Sequence, residues 1–362
     1  MISRLSPFLR LALLALSLSG FSTQAYTADA PATTATPAWQ RVTLGDETER
    51  YDFPVYANHD LKGDLKNIRE VIFIIHGIQR NADHYFAAGQ SLLEQSGRGP
   101  EEVLLLAPNF PGTPDSAKGF DNMPVWDVRD WAGGLDAKGV AFALSSFKVL
   151  DDLLLAVTAK PRFEGVTTVT VAGHSAGAQL VQRYAALNTI DEKIRAQGLE
   201  IRYVVANPSS FLYFNAQRPA GDTFKDYDPA VCADYDQYRY GMQDMIPYAR
   251  GATGPAVFKR YSYRSITYLM GGGDNDPNHR LLDKTCAAQA QGPTRLERAR
   301  SYVRYERYLA GKATKIHHLA YEVVDVGHNQ AKMFGSTCGL MTLFQVEPPK
   351  GFKGAACRPY LF

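Results

Sequence analysis

Thr167-Thr-Val-Thr-Val-Ala-Gly-His-Ser-Ala-Gly-Ala-Gln-Leu180 is the stretch whose reading decides the fold. Its β-branched run from Thr167 to Val171 has the composition and length of a buried strand; it then stops at a glycine, presents one serine and turns at once into helix-like sequence. From Gln179 to Leu187, the residues Leu180, Val181 and Tyr184 fall on one helical face. Gly173 and Gly177 lie two residues either side of Ser175, where a side chain would crowd a tight strand-to-helix turn, and the small Ala176 keeps that turn open. Gly-x-Ser-x-Gly alone is moderate evidence, because with 30 glycines in 362 residues composition alone produces it roughly one time in ten. A strand before it and a helix after it make it a nucleophile elbow, a turn that lifts one hydroxyl out of the sheet.

Working outward, strand-like runs occur at Tyr51–Tyr56, Val71–Ile75, Val103–Leu106, Thr167–Val171, Ile201–Val205, Ile266–Met270 and Ala320–Val326. Several are continuously apolar, as strands buried on both faces of a parallel sheet must be. Helical segments are expected at Ala82–Gln95, Val140–Ala159, Ala178–Leu187 and Gly292–Ala310. The alternation predicts an α/β fold with an open, mostly parallel central sheet and helices on both faces. Two stretches interrupt it. Pro108–Asp136, with Pro111, Gly112, Pro114, Trp126 and Trp131, reads as a long loop at the mouth of a site. Pro208–Tyr263, with eight tyrosines, reads as an inserted cap, its aromatics either walling a substrate or packing the insertion itself. Residues 39–362 are then a single domain with a cap at about 208–263.

Arg4 and Arg10, an apolar stretch from Leu11 to Phe21 and small residues up to Ala25 predict a secretory signal peptide cleaved after Ala25, followed by a disordered leader over 26–38. The alternative, an N-terminal membrane anchor, lacks the required run of about 20 apolar residues. Loss of residues 1–25 removes two of the 39 basic residues and none of the 37 acidic ones, so the mature chain is formally neutral. That disfavours a nucleic-acid or membrane-surface partner, which would show as a basic excess. Cys232, Cys286, Cys338 and Cys357 form an even set in an exported chain, predicting two disulfides. Of three connectivities, Cys232–Cys286 with Cys338–Cys357 is favoured, since the second closes a short loop holding Pro348, Pro349 and Gly351.

A serine hydroxyl becomes a strong nucleophile only when an imidazole takes its proton and a carboxylate orients that imidazole. In open α/β sheets such groups gather at the carboxyl ends of the strands. After Met270 comes Gly271-Gly-Gly-Asp274-Asn-Asp276; after the last strand comes Gly327-His328. Asp274 is the favoured acid, Asp276 the alternative, and Asp325 a lesser one. Asp274-Asn-Asp276 lacks the Gly and Glu that complete a Ca²⁺ loop, and no His-Glu-x-x-His zinc signature occurs, so no metal is expected.

With Ser, Asp and His in this order, the chain resembles the α/β-hydrolase superfamily from Val71 to about Phe334. The elbow, Gly271-x-x-Asp274, Gly327-His328 and the turn His76-Gly77-Ile78-Gln79 carry the resemblance. It implies a Ser175, Asp274 and His328 triad, and oxyanion donors from the backbone of Ile78 and Ala176, with Gln79 a second choice for the first. Gln79-Arg80 departs from the lipase-type His-Gly-Gly-Gly. His76 and His174 are assigned backbone support. Gln79, Trp126, Trp131, Ser209 and Ser210 fall in segments expected at the mouth of the site; a structural role is the favoured reading of each, with Gln79, Trp126 and Ser209 the candidate substrate-binding residues. The expected function is an exported, secreted or periplasmic, serine esterase acting on a small or polymeric ester without a dissociable cofactor. An amide or peptide hydrolase using the same triad, and a non-catalytic binding protein on the same fold, are the alternatives.

Overall fold

The computed structural model describes residues 39–360; the signal peptide and leader read from the sequence lie outside them. Along the chain run β1 (Gln40–Leu44), β2 (Tyr51–Ala57), β3 (Glu70–Ile75), α1 (Ala82–Ser96), β4 (Val103–Pro108), α2 (Ser146–Thr158), β5 (Thr168–His174), α3 (Ala176–Leu187), α4 (Asp191–Ala196) and β6 (Glu200–Ala206). Then come β7 (Gln217–Ala220), β8 (Thr223–Asp226), α5 (Gly254–Tyr261), β9 (Ser265–Gly271), α6 (Cys286–Gln289), α7 (Arg295–Ala310), β10 (His318–Val323), α8 (Gln330–Phe334), α9 (Thr337–Phe344) and β11 (Cys357–Pro359).

Among the described residues, nine strands form one sheet in the order β1-β2-β4-β3-β5-β6-β9-β10-β11. The six from β4 to β10 are parallel, while β1, β2 and β11 join antiparallel at the edges. Every residue of β3 and β4 is buried, and the alternation of β3 shows why. Val71, Phe73 and Ile75 enter one apolar core with α2, α3, α5 and α7; Ile72 and Ile74 enter another with α1, α8 and α9. A strand packed by helices on both faces has no polar side to show, hence the unbroken apolar runs.

The edges and short helices escape the sequence reading. Strands β1 and β11, the β7–β8 hairpin and the helices α4, α5, α6, α8 and α9 carry too few periodic residues to announce themselves. The helix expected from Val140 begins at Ser146, because Ser145 caps it, accepting from Phe147 N. The last parallel strand ends at Val323, not Val326, because Asp325 turns the chain at φ 57°. Within 208–263, α5 packs on α3 and sends Val257 and Tyr261 into the main core, so it belongs to the layered body. Tyr213 and Tyr261 are fully buried, and Arg218 lies over the Tyr213 and Tyr235 rings at 4.5 and 5.0 Å. The structure pairs Cys232 with Cys286 and Cys338 with Cys357. No helix among the described residues is long and apolar enough to cross a membrane.

Candidate active site

Parallel registry brings the ends of five strands to one edge: Ile75 of β3 pairs with Gly173 of β5, His174 with Ala206 of β6, Ala206 with Leu269 of β9, and Gly271 with Val323 of β10. The loops leaving these strands carry the candidate residues. Ser175 takes φ 60°, ψ −118°, a conformation rare for a residue with a Cβ, and its N–H donates to Ala206 O at 2.9 Å. A Cβ on Gly173 would come within 2.3 Å of Gly177 O, and one on Gly177 within 2.5 Å of the Ile75 and His76 carbonyl oxygens. Neither position admits a side chain, which is why the sharp turn is spelled with two glycines.

Asn207 ties the neighbouring loops together: its Oδ1 accepts from Gly271 N at 2.7 Å, while Gly273 N donates to Val326 O at 3.0 Å. The acid turn and the histidine loop are thereby pinned to each other. His328 Nδ1 lies 2.8 Å from Asp274 Oδ2, and His328 Nε2 lies 2.9 Å from Ser175 Oγ. The other acids are elsewhere: Asp276 is exposed and accepts from Asn278 N at 2.8 Å, and Asp325 is exposed in its turn. The metal alternative has no support in this geometry, since the Asp274 oxygens go to His328 and Arg295. The one cluster of metal-ligand type among the described residues, Cys232, Asp234 and Cys286, has both sulfurs tied in a disulfide.

Burial pushes the Asp274 carboxyl up, but its hydrogen bond to His328 and the charges of His328 and Arg295 prevail and hold it below the ordinary carboxylate value. An ionised Asp274 accepts only, so the His328 proton sits on Nδ1 and the Nε2 lone pair accepts the Ser175 hydroxyl. Burial, together with the charge of Arg295, also keeps His328 below its usual value, so it is neutral and able to accept a proton at neutral pH.

Arg295 is the residue that sequence reading missed. Only 1% exposed, it donates from Nη1 to Asp274 Oδ1 at 3.1 Å, from Nε to Ser209 Oγ at 2.9 Å and from Nη2 to His279 Nδ1 at 3.3 Å. Its one sequence signal is a cation in the first turn of α7, against the helix dipole, which asks for a nearby anion. The ring of His328 contacts those of His174, 4.7 Å away, and His279, 5.2 Å away. Tyr85 OH lies 3.1 Å from His174 Nδ1, and burial holds His174 far below its ordinary value, hence uncharged. His76 is fully buried and accepts from Phe110 N at 2.9 Å through Nε2, bracing the turn after β3. In that turn Arg80 pairs with Asp115 and donates to Ile78 O at 3.1 Å, anchoring the Gln79-Arg80 variant.

Two cavities of about 310 Å³ each meet at Ser175. Gln79, His174, His279 and His328 line the first; Ala176, Gln179, Ser209, Arg239 and Tyr240 line the second; Ile78 lines both. Trp126 is corrected: it is fully buried, packs edge-on against Phe53 and Phe110, and donates from Nε1 to Leu135 O, so it is a core residue rather than a substrate contact. Trp131 is likewise buried, against His76, and Ser210 is buried as a partner of Arg183. Of the tyrosines in 208–263, Tyr240 lines the second cavity.

Comparison of the chain with protein-family models and with curated protein sequences finds no match. Among solved structures it is similar to poly(aspartic acid) hydrolase-1 from Sphingomonas sp. KT-1, at 21% identity and TM-score 0.58 over 86% of this chain and 100% of that one. It is also similar to the poly(3-hydroxybutyrate) depolymerase LpqC from Bordetella parapertussis, at 19% identity and TM-score 0.58 over 86% of this chain and 92% of that one. With its parallel sheet, its serine at the elbow after β5 and these likenesses, the chain has the α/β-hydrolase fold.

Proposed function

We propose that the chain is an exported serine hydrolase that cleaves a carboxylic ester by acyl transfer. The observation carrying this reading is the hydrogen-bonded series from Ser175 Oγ through His328 to Asp274, at 2.9 and 2.8 Å. Ser175 attacks the carbonyl carbon as His328 Nε2 takes its proton. His328 returns that proton to the departing oxygen, and Asp274 stabilises the imidazolium between the two steps. The oxyanion is received by the backbone amides of Ile78 and Ala176, the latter at the N-terminus of α3, where amides lack helical partners. Water then attacks the acyl-enzyme by the same relay, and no dissociable cofactor takes part. Residues 208–253 act as the cap, through Ser209, Arg239 and Tyr240. Two disulfides suit the oxidising compartment that export implies. The similar structures, named for hydrolysis of poly(aspartic acid) and depolymerisation of poly(3-hydroxybutyrate), agree with a hydrolytic use of the frame.

A fluorophosphonate probe followed by mass-spectrometric localisation tests the reading. The expected result is an adduct on Ser175 that is lost on denaturation and in Ser175→Ala, with the variant still folded. A folded protein that is not labelled, or a Ser175→Ala variant that keeps turnover, overturns it.

A further inference from the structure

The two cavities at Ser175 differ in chemistry, and the reaction assigns a side to each. In acyl transfer the imidazole hands its proton to the departing oxygen, so the leaving alcohol lies where His328 can reach it. His328 lines the first cavity and not the second, which leaves the second to the acyl chain.

That acyl-side cavity is electrostatically unbalanced. Arg183 is fully buried, and its guanidinium donates to the carbonyls of Ala132 and Arg239, to Gln179 Oε1 and to Ser210 Oγ, with no carboxylate among them. Burial lowers its pKa to about 10, which still leaves it charged at neutral pH. A buried cation without a counter-ion is unusual, because charges taken from water are ordinarily paired. Gln179 gives its oxygen to Arg183 and Ser210, so its amide NH₂ is the group it has left to offer the cavity it lines. At the rim, Arg129 has no ion pair among the described residues, and Arg239 lies 3.5 Å from Asp130, both partners being partly exposed. Behind Ser209, Arg298 donates to the carbonyls of Ser209 and Asp283. The Asp283 carboxylate already accepts from Tyr240 OH at 2.8 Å and Thr285 Oγ1 at 2.9 Å. Four guanidinium groups thus face two carboxylates, Asp130 and Asp283. Arg295 and Asp274, paired with each other, cancel.

We infer that the acyl group accepted here carries a carboxylate at its far end, held by Arg239, Arg129 and the Gln179 amide above the buried charge of Arg183. The substrate class is the half-ester of a dicarboxylic acid. This inference rests on the acyl-transfer reading of Ser175. In the reaction the Ser175 oxygen bonds to the ester carbonyl carbon, the carbon–oxygen bond to the alcohol breaks, and the Ser175 proton leaves on that alcohol. Water then releases a dicarboxylate and one proton to solvent.

The test compares esters of matched acyl chain length by pH-stat on the purified protein: monoethyl adipate against ethyl hexanoate, and monoethyl succinate against ethyl butyrate. One charge-assisted contact predicts a preference of about tenfold in kcat/KM for the anionic member at low salt, shrinking as salt is added. In Arg129→Gln/Arg239→Gln the anionic-to-neutral ratio falls about tenfold, and in Arg239→Glu preference moves toward ethyl aminocaproate. Both arginines are partly exposed, so these variants fold. Equal or better turnover of the neutral ester, or a ratio unchanged in the double variant, overturns the inference while the turnover itself upholds the hydrolase reading. Labelling of Ser175 by fluorophosphonate without turnover of either ester does the same. Absence of both labelling and turnover overturns the hydrolase reading, and the inference with it.

Discussion

Replacing Arg295 by Gln tests whether the buried guanidinium sets the working pH of the site. Arg295 and His328 hold opposite oxygens of the Asp274 carboxylate, at 3.1 and 2.8 Å, so two hydrogen bonds and the carboxylate between them separate their charges. At a separation of about 7 Å and an effective dielectric of about 20, two positive charges repel by about 2 kcal/mol, equivalent to about 1.5 pH units. Arg295 therefore disfavours imidazolium, in keeping with the lowered pKa of His328. In the wild type, kcat/KM is full at neutral pH and falls only as pH drops through a His328 pKa below the ordinary imidazole value. In Arg295→Gln that acid limb moves upward by about one pH unit, since water entering the vacated space screens part of the effect. The variant also leaves Asp274 with one buried partner fewer, so kcat falls and unfolding is easier by about 3 kcal/mol. Arg295→Lys, which keeps the charge, restores the position of the acid limb even where stability is not fully recovered. The assay is kcat/KM for a soluble ester from pH 5 to 9, with near-UV circular dichroism on each variant. An acid limb that stays in place or moves downward in a folded Arg295→Gln protein refutes the electrostatic argument.

Asp274→Asn presents the wrong hydrogen-bonding partner to His328 Nδ1 and lowers kcat by about 10⁴-fold, whereas Asp276→Asn, altering only an exposed turn, changes kcat less than about threefold; parallel steady-state kinetics decide, and equal losses contradict the placement. Gly177→Ala drives a methyl to 2.5 Å from the Ile75 and His76 carbonyl oxygens, and we expect destabilisation by about 3 kcal/mol in urea melts, with the turn at Ser175 displaced and turnover lost. His174 is held uncharged chiefly by burial, so its folded pKa lies below its unfolded one near 6.5. The unfolded chain then binds the extra proton, and stability drops by about 1.4 kcal/mol for each pH unit below about 6.5 until the folded pKa is reached. His174→Asn flattens this slope in urea melts from pH 7 to 5, and an unchanged slope would assign the acid lability to other groups.

The elbow was legible because a local rule writes it: a sharp turn with a fixed crowding problem needs glycine at 173 and 177, and a strand covered on both faces needs an unbroken apolar run. The seven sheet strands read from the sequence all exist within a few residues, whereas β1, β11 and the hairpin, short and half-exposed, carry no comparable pattern. Trp126 misleads for a related reason. A tryptophan in a loop looks available, yet its loop folds inward to seat the ring against Phe53 and Phe110, and composition does not record which way a loop turns.

The choice among acids separates the two kinds of information most clearly. Asp274 and Asp276 are two residues apart and chemically identical, and only the pinning of the Gly271–Asp274 turn to the histidine loop aims one at His328 and leaves the other in solvent. Arg295 and Arg183 are farther still from any local rule. Apart from the contact of Arg183 with Gln179 one helical turn away, the partners these two arginines need lie far along the chain, Asp274 being 21 residues from Arg295 and Ser210 27 from Arg183. By itself the sequence determined the layered α/β frame and the serine that stands at its edge, because backbone sterics and burial act between near neighbours. The tertiary structure alone decided which carboxylate faces the histidine and what charge surrounds the serine, because electrostatic interactions depend on distances in space that segment packing sets.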